Sequence, residues 1–244
     1  IMKGLPDVWI LVGVFVIILS FVGVWLYYFL KVRSYERLNQ NDNSSESSGS
    51  SYRPLNCEII QPSLGEKHLY TLFWLHGLGD VPSSWKAGTL SFNLKNTKIV
   101  LPAAPISPVT INGGMKMPSW FDIMGLTIGS PEDQEGIHLA SQNLACLINE
   151  EMKHVDPLHI AIGGFSQGGA VALNTAFVDG YLQHQIGCVV GLSCWLPGGS
   201  SIVNQSASSS VQLSSINSST PLFMVRYVLC ILVLLILFCF TKCY

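Results

Sequence analysis

A chain of 244 residues with a formal net charge of −2 and only 11% charged residues has no basic surface for nucleic acid, which excludes that partner. Soluble domains carry about a quarter charged residues, so the deficit predicts membrane segments, and two candidates lie near the ends. The seven cysteines (Cys57, Cys146, Cys188, Cys194, Cys230, Cys239 and Cys243) form no Cys-x-x-Cys pair and no zinc-like spacing, which reads as reduced, mostly buried thiols in a cytosolic setting.

Residues 8–30 (VWILVGVFVIILSFVGVWLYYFL) carry no charge. They exceed the roughly 20 residues that span a bilayer core, and Trp25, Tyr27 and Tyr28 suit its aromatic belt. A cleaved signal peptide would have a shorter apolar core and a small-residue cleavage site. Lys31, Arg33 and Arg37 follow the segment, against Lys3 alone before it. The bias predicts a single-pass N-terminal anchor over 1–33, with the downstream domain facing the cytosol. Residues 34–54, rich in Ser and Asn, cannot bury apolar area and read as a flexible linker. Asn43 opens a formal glycosylation acceptor there, which a cytosolic domain would not use.

A domain is expected over 55–225. The apolar run 69–75 (LYTLFWL) predicts a strand buried on both faces. It ends at His76-Gly-Leu-Gly-Asp80, where two glycines allow an unusual turn. Residues 98–101 read as a second buried strand closed by Pro102, followed by an irregular loop through Pro105, Pro108 and Asn112 to about 123. A helix is expected from 130–133, with Ser130 as N-cap and Pro131 in the first turn, to about Met152. Ile137, Ala140, Leu144, Leu147 and Ile148 give it one core-facing stripe.

Residues 158–173 (LHIAIGGFSQGGAVAL) pass from a β-rich run through Gly164-x-Ser166-x-Gly168 into small and apolar residues suited to a packed helix reaching about Asp179. That strand–turn–helix context is what a nucleophile elbow needs. Residues 186–193 and 221–225 predict two further strands around a Ser-, Gly- and Asn-rich stretch, 198–220. Strands alternating with helices indicate an α/β fold with a mostly parallel sheet covered on both faces. Residues 227–240, again uncharged, are short for a bilayer span, although Arg226 and Lys242 could snorkel.

A catalytic serine needs a base, an acid to orient that base, and donors for the oxyanion. Elbow folds take one donor from the backbone N–H after the serine, here Gln167, and another from the loop after an early strand, where Leu78 is the candidate.

Five ordered blocks, FWLHGLGD (73–80), PAAP (102–105), PSWFD (118–122), GGFSQGG (163–169) and LSCWLP (192–197), make the chain resemble the acyl-protein thioesterase/lysophospholipase carboxylesterases over about 55–225. The resemblance implies an α/β-hydrolase, a serine esterase that cleaves long-chain thioesters or esters, from S-acylated proteins (depalmitoylation) or from lysophospholipids. It implies no metal and no organic cofactor. By this match Ser166 is the nucleophile, Leu78 and Gln167 supply the oxyanion hole, and Trp120 either lines the acyl side or packs in the core.

The family's order is Ser, then Asp soon after the strand matching 221–225, then His. Here no Asp or Glu follows Asp179 and no His follows His184; likeness to the family stops at Val225 and an apolar tail, 226–244, takes over. The expectation is a C-terminally truncated hydrolase lacking its last strands and helix, as an unspliced intron or a faulty gene model would give, with negligible activity. The rival expectation is a non-catalytic, membrane-anchored remnant that binds acyl chains or a partner. Among earlier histidines, His138 and His154 are expected in the amphipathic helix, His159 in a buried strand, His184 opposite the elbow, and His76 holding the oxyanion loop.

Overall fold

The computed structural model describes residues 55–127, 129–199 and 212–225. The expected anchor (1–33, spanning at 8–30), linker (34–54) and apolar tail (226–244) lie outside the described residues. Among the described residues no helix is long and apolar enough to cross a membrane.

Six strands form one sheet in the order β1-β3-β2-β6-β7-β8. They are β1 (Cys57–Ile60), β2 (Tyr70–Leu75), β3 (Thr97–Pro102), β6 (Ile160–Phe165), β7 (Cys188–Leu192) and β8 (Leu222–Val225). β1 runs antiparallel to β3 and the other pairings are parallel, so the mostly parallel sheet expected from the sequence is present. β2 and β6 sit at its centre, where side chains on both faces must be apolar. On one face Phe73, Leu75, Ile162 and Val189 pack with Leu144, Ile148 and Val171. Those last three come from α2 (Gln134–Glu151) and α3 (Gln167–Phe177). On the other face Leu72, Trp74, Ile99 and Leu101 meet Trp85 of α1 (Pro82–Ser91).

α2 begins three residues later than expected from Ser130. Glu132 is bridged to Ile123 in extended conformation, so the helix can start only after it. Asp133 is the N-cap, its carboxylate accepting from Gly136 N at 2.9 Å. The apolar stripe is as expected, with Ile137, Ala140, Leu144 and Ile148 buried. The far end of α2 is pinned to the sheet by buried Glu151, which accepts from Thr71 Oγ1 (2.7 Å) and Lys98 Nζ (2.6 Å).

Two features were not expected from the sequence, a ribbon within the stretch read as irregular loop and a helix in a stretch for which no element was expected. β4 (Ile106–Val109) and β5 (Met115–Pro118) form a separate antiparallel ribbon, whose free edges tolerate Pro108 and Pro118. Gly113 and Gly114, both at positive φ, make its turn. α1 escapes pattern reading because its sequence has no apolar stripe: only Pro82 and Thr89 are buried.

Candidate active site

β6 ends at Phe165 and α3 starts at Gln167, which leaves Ser166 alone at the turn. Its backbone is left-handed (φ 51°, ψ −118°), a strained conformation for a residue with a side chain. Ser166 N donates to Leu192 O at 2.9 Å, fixing the turn to β7. The turn is so tight that a Cβ on Gly164 would lie 2.6 Å from Gly168 C, and one on Gly168 would lie 2.4 Å from His76 O. The half-buried Ser166 therefore stands at the amino end of α3, where orphan N–H groups and the helix dipole favour negative charge.

Gln167 is the first residue of α3, so its N–H has no intrahelical acceptor. Leu78 lies in the loop after β2, and its N–H makes no backbone hydrogen bond among the described residues. The side chain of Gln167, which the sequence reading did not use, is almost wholly buried. Its Oε1 accepts from Trp120 N (3.0 Å), and its Nε2 donates to Ser119 Oγ (3.0 Å) and Phe121 O (2.6 Å). No local sequence pattern signals that role, because the partners lie 46 to 48 residues away. Trp120 is 4% exposed, its indole N–H donates to His76 O at 2.8 Å, and its ring lies against the His76 ring.

His76 holds the loop as expected. Ala104 N donates to Nε2 at 3.1 Å, which leaves the ring proton on Nδ1 for Gly77 O at 2.8 Å. Burial pushes its pKa down, against a smaller upward pull from the Gly77 carbonyl and Asp80. With both ring nitrogens engaged, it offers Ser166 no basic lone pair.

The other histidines do not serve either. His68 bonds Thr71 and Glu151 at the opposite end of the sheet. His138 bonds Tyr181 on the surface. His154 lies in the turn after α2 rather than within it, because the helix ends at Glu151. His159 closes a short 3-10 turn (Pro157–His159) and is exposed, not buried in a strand, since β6 starts one residue later. His184 is exposed. No side chain among the described residues is hydrogen-bonded to the Ser166 hydroxyl. Of the nearby acids, Asp80 is spent on Val81 N and Trp85 Nε1. Cys194, against Gly169, has its thiol pushed up to about 11 by burial and stays protonated.

Ser166 and the Gln167 N–H thus stand together at the start of α3, and Leu78 lies in the loop whose His76 carbonyl abuts Gly168. A family model described as Phospholipase/Carboxylesterase matches residues 55–219. The chain is 41% identical over 153 residues to an acyl-protein thioesterase 1 of Mycosarcoma maydis, covering 57% of this chain and 62% of the relative. It is 38% identical over 163 residues to one from Yarrowia lipolytica, covering 64% and 67%. The chain thus spans about two thirds of the length of these relatives. Among solved structures, Zea mays acyl-protein thioesterase 2 matches with a TM-score of 0.58 at 29% identity, over 70% of this chain and 75% of that one.

Proposed function

This chain belongs to the phospholipase/carboxylesterase family of α/β-hydrolases, and on that footing we propose that it is built as a serine carboxylic-ester hydrolase of the acyl-protein thioesterase type. The observation that carries the reading is Ser166, held at φ 51° between β6 and α3 with glycines on both sides. In the proposed reaction Ser166 Oγ bonds to the acyl carbon of an S-acylated protein or a lysophospholipid. The carbonyl oxygen becomes an oxyanion facing the Leu78 and Gln167 amides. The C–S or C–O bond breaks, the leaving group takes the proton that Ser166 lost, and water hydrolyses the acyl-enzyme. No cofactor or metal enters the scheme. The uncharged run 8–30, with its basic flank, supports attachment to a membrane on the cytosolic side.

The base and acid are the gap in this scheme. No Asp or Glu follows Asp179, no His follows His184, and no described histidine is hydrogen-bonded to Ser166. A polypeptide of these 244 residues is therefore proposed to hydrolyse esters several powers of ten more slowly than its relatives. The same gap favours one second reading, a membrane-anchored module that binds acyl chains or a partner without cleaving them.

A fluorophosphonate probe separates the two. A chimera carrying the Mycosarcoma maydis thioesterase sequence after Val225 is expected to label at Ser166 and to lose labelling in Ser166→Ala. The unaltered chain labels slowly. A folded chimera that fails to label overturns the hydrolase reading, and fast labelling of the unaltered chain overturns its inactivity.

A further inference from the structure

The two oxyanion donors belong to different elements, Leu78 to the loop after β2 and Gln167 to the start of α3. Their separation must be set by whatever connects those elements. We propose that the Gln167 side chain is a positioning residue that fixes one donor against the other through a hydrogen-bonded frame, closed by a backbone contact, whose other members are residues 118–121 and His76. The proposal rests on the reading of Leu78 and Gln167 as the donors.

The frame can be traced atom by atom. From α3, Gln167 Oε1 takes the Trp120 N–H at 3.0 Å, and Nε2 spends both protons, on Phe121 O (2.6 Å) and Ser119 Oγ (3.0 Å). Ser119 Oγ in turn donates to Phe121 O at 2.6 Å. The 118–121 segment reaches the loop after β2 at two points. Trp120 Nε1 donates to His76 O at 2.8 Å, and Pro118 O accepts from Gly79 N, the neighbour of Leu78, at 2.8 Å. His76 then ties that loop to the end of β3 through Ala104 N at 3.1 Å. The circuit closes where Gly168 lies against His76 O and Leu75 O with no room for a Cβ.

Gln167, His76 and Ser119 are each 1% exposed, so no water competes for these bonds. The glutamine is also the right length. Asparagine would fall one methylene short of 119–121, and a carboxylate would set an oxygen against Phe121 O. A misplacement of about 1 Å at such a site costs on the order of 100-fold in rate.

A purely structural strut would show the same bonds, so the test must read the donors themselves. Residual hydrolysis after loss of triad members comes from the oxyanion hole and substrate binding, and the 244-residue chain offers that background directly. With p-nitrophenyl octanoate, the chain is expected to exceed buffer. Gln167→Met, of similar length but without polar atoms, is expected to lower the residual kcat about 10- to 100-fold with KM within about twofold. Asn174→Ala serves as comparator: equally enclosed on the same helix, it bonds Ser141 and touches no part of the frame. It is expected to lose stability and keep the residual kcat. Circular dichroism and urea midpoints give the folded fraction of each.

A folded Gln167→Met with unchanged kcat overturns the frame alone. A fall in kcat that merely tracks lost stability, as in Asn174→Ala, does the same. No rate above buffer in the unaltered chain overturns the donor reading and the frame with it, whereas the chimera's Ser166 labelling tests the nucleophile separately.

Discussion

The carboxyl ends of β2 and β6 and the edge strand β8 belong to one sheet, two strands apart, yet they are finished to different degrees. Around β2 and β6 the large side chains are buried, and His76, Ser119 and Gln167 have partners for their polar atoms. Along β8 all four residues are exposed, Phe223 most at 62%, and the outer edge has no strand beside it among the described residues. An apolar, unpaired edge is a liability that folded proteins cover or blunt. The proposed nucleophile and oxyanion donors therefore rest on central strands that complete their own packing. By the family resemblance, the base and acid would follow β8 in sequence.

The sharpest way to break this contrast is to strain the finished side and relieve the open one. An alanine at Gly168 puts its Cβ 2.4 Å from His76 O and 2.6 Å from Leu75 O, both backbone atoms that cannot turn aside. Gly168→Ala is expected to cost about 3 kcal/mol or more in urea unfolding. Phe223→Asp, on the exposed strand, is expected to stay within about 0.5 kcal/mol of the parent and to reduce aggregation. Comparable losses in the two variants would erase the distinction.

The next effect is set by pH. Burial holds His76 neutral in the folded chain, while in the unfolded chain it titrates near 6.5. Its folded pKa is lowered, so the stability that depends on it is full above pH 6.5. That stability is lost as pH falls from 6.5 toward the lower folded value, by at most ~1.4 kcal/mol per pH unit. Urea midpoints between pH 7.5 and 5 are expected to fall for the parent and to fall less for a folded His76→Gln. Glu151 titrates in a different window. Burial works against its charge, but Lys98 and Thr71 hold its pKa below the ordinary 4.5, so its share is lost only as pH drops below that value. Equal slopes in parent and His76→Gln would remove His76 from the account.

What was legible in the sequence follows the same division. Strands buried on both faces announce themselves as apolar runs, so 69–75 and 98–101 were readable, and glycines in a tight turn marked Ser166. Leu78 and Gln167 became candidates from their places beside those motifs, and their role as donors belongs to the proposal. The hairpin 106–118 was read as loop because of its two prolines, Pro108 and Pro118, and prolines are tolerated on the edges of a two-stranded ribbon. The Gln167 side chain was invisible because its partners are 46 to 48 residues away and mostly backbone atoms. His159 was misplaced because a short 3-10 turn and a strand start look alike in one apolar stretch.

The smallest effect lies at the seam between the two halves. Ser193 follows β7 directly, donates its N–H to Val225 O at 2.9 Å, and shares with Ser166 a left-handed backbone, φ 48°. Its Oγ is buried with no hydrogen-bond partner among the described residues. At Ser166 the strain presents a hydroxyl to a candidate site, whereas at Ser193 it turns one into the interior. A buried, unmet hydroxyl costs about 1–3 kcal/mol and a left-handed non-glycine residue about 1 kcal/mol. Glycine relieves both but loses roughly 0.5–1 kcal/mol to the greater freedom of the unfolded chain. Ser193→Gly is therefore expected to raise stability by about 1 kcal/mol, and Ser193→Ala, which keeps the strained φ, by less. A lower urea midpoint for both variants would mean that this hydroxyl has a partner in solution, and the seam would then belong to the finished half of the molecule.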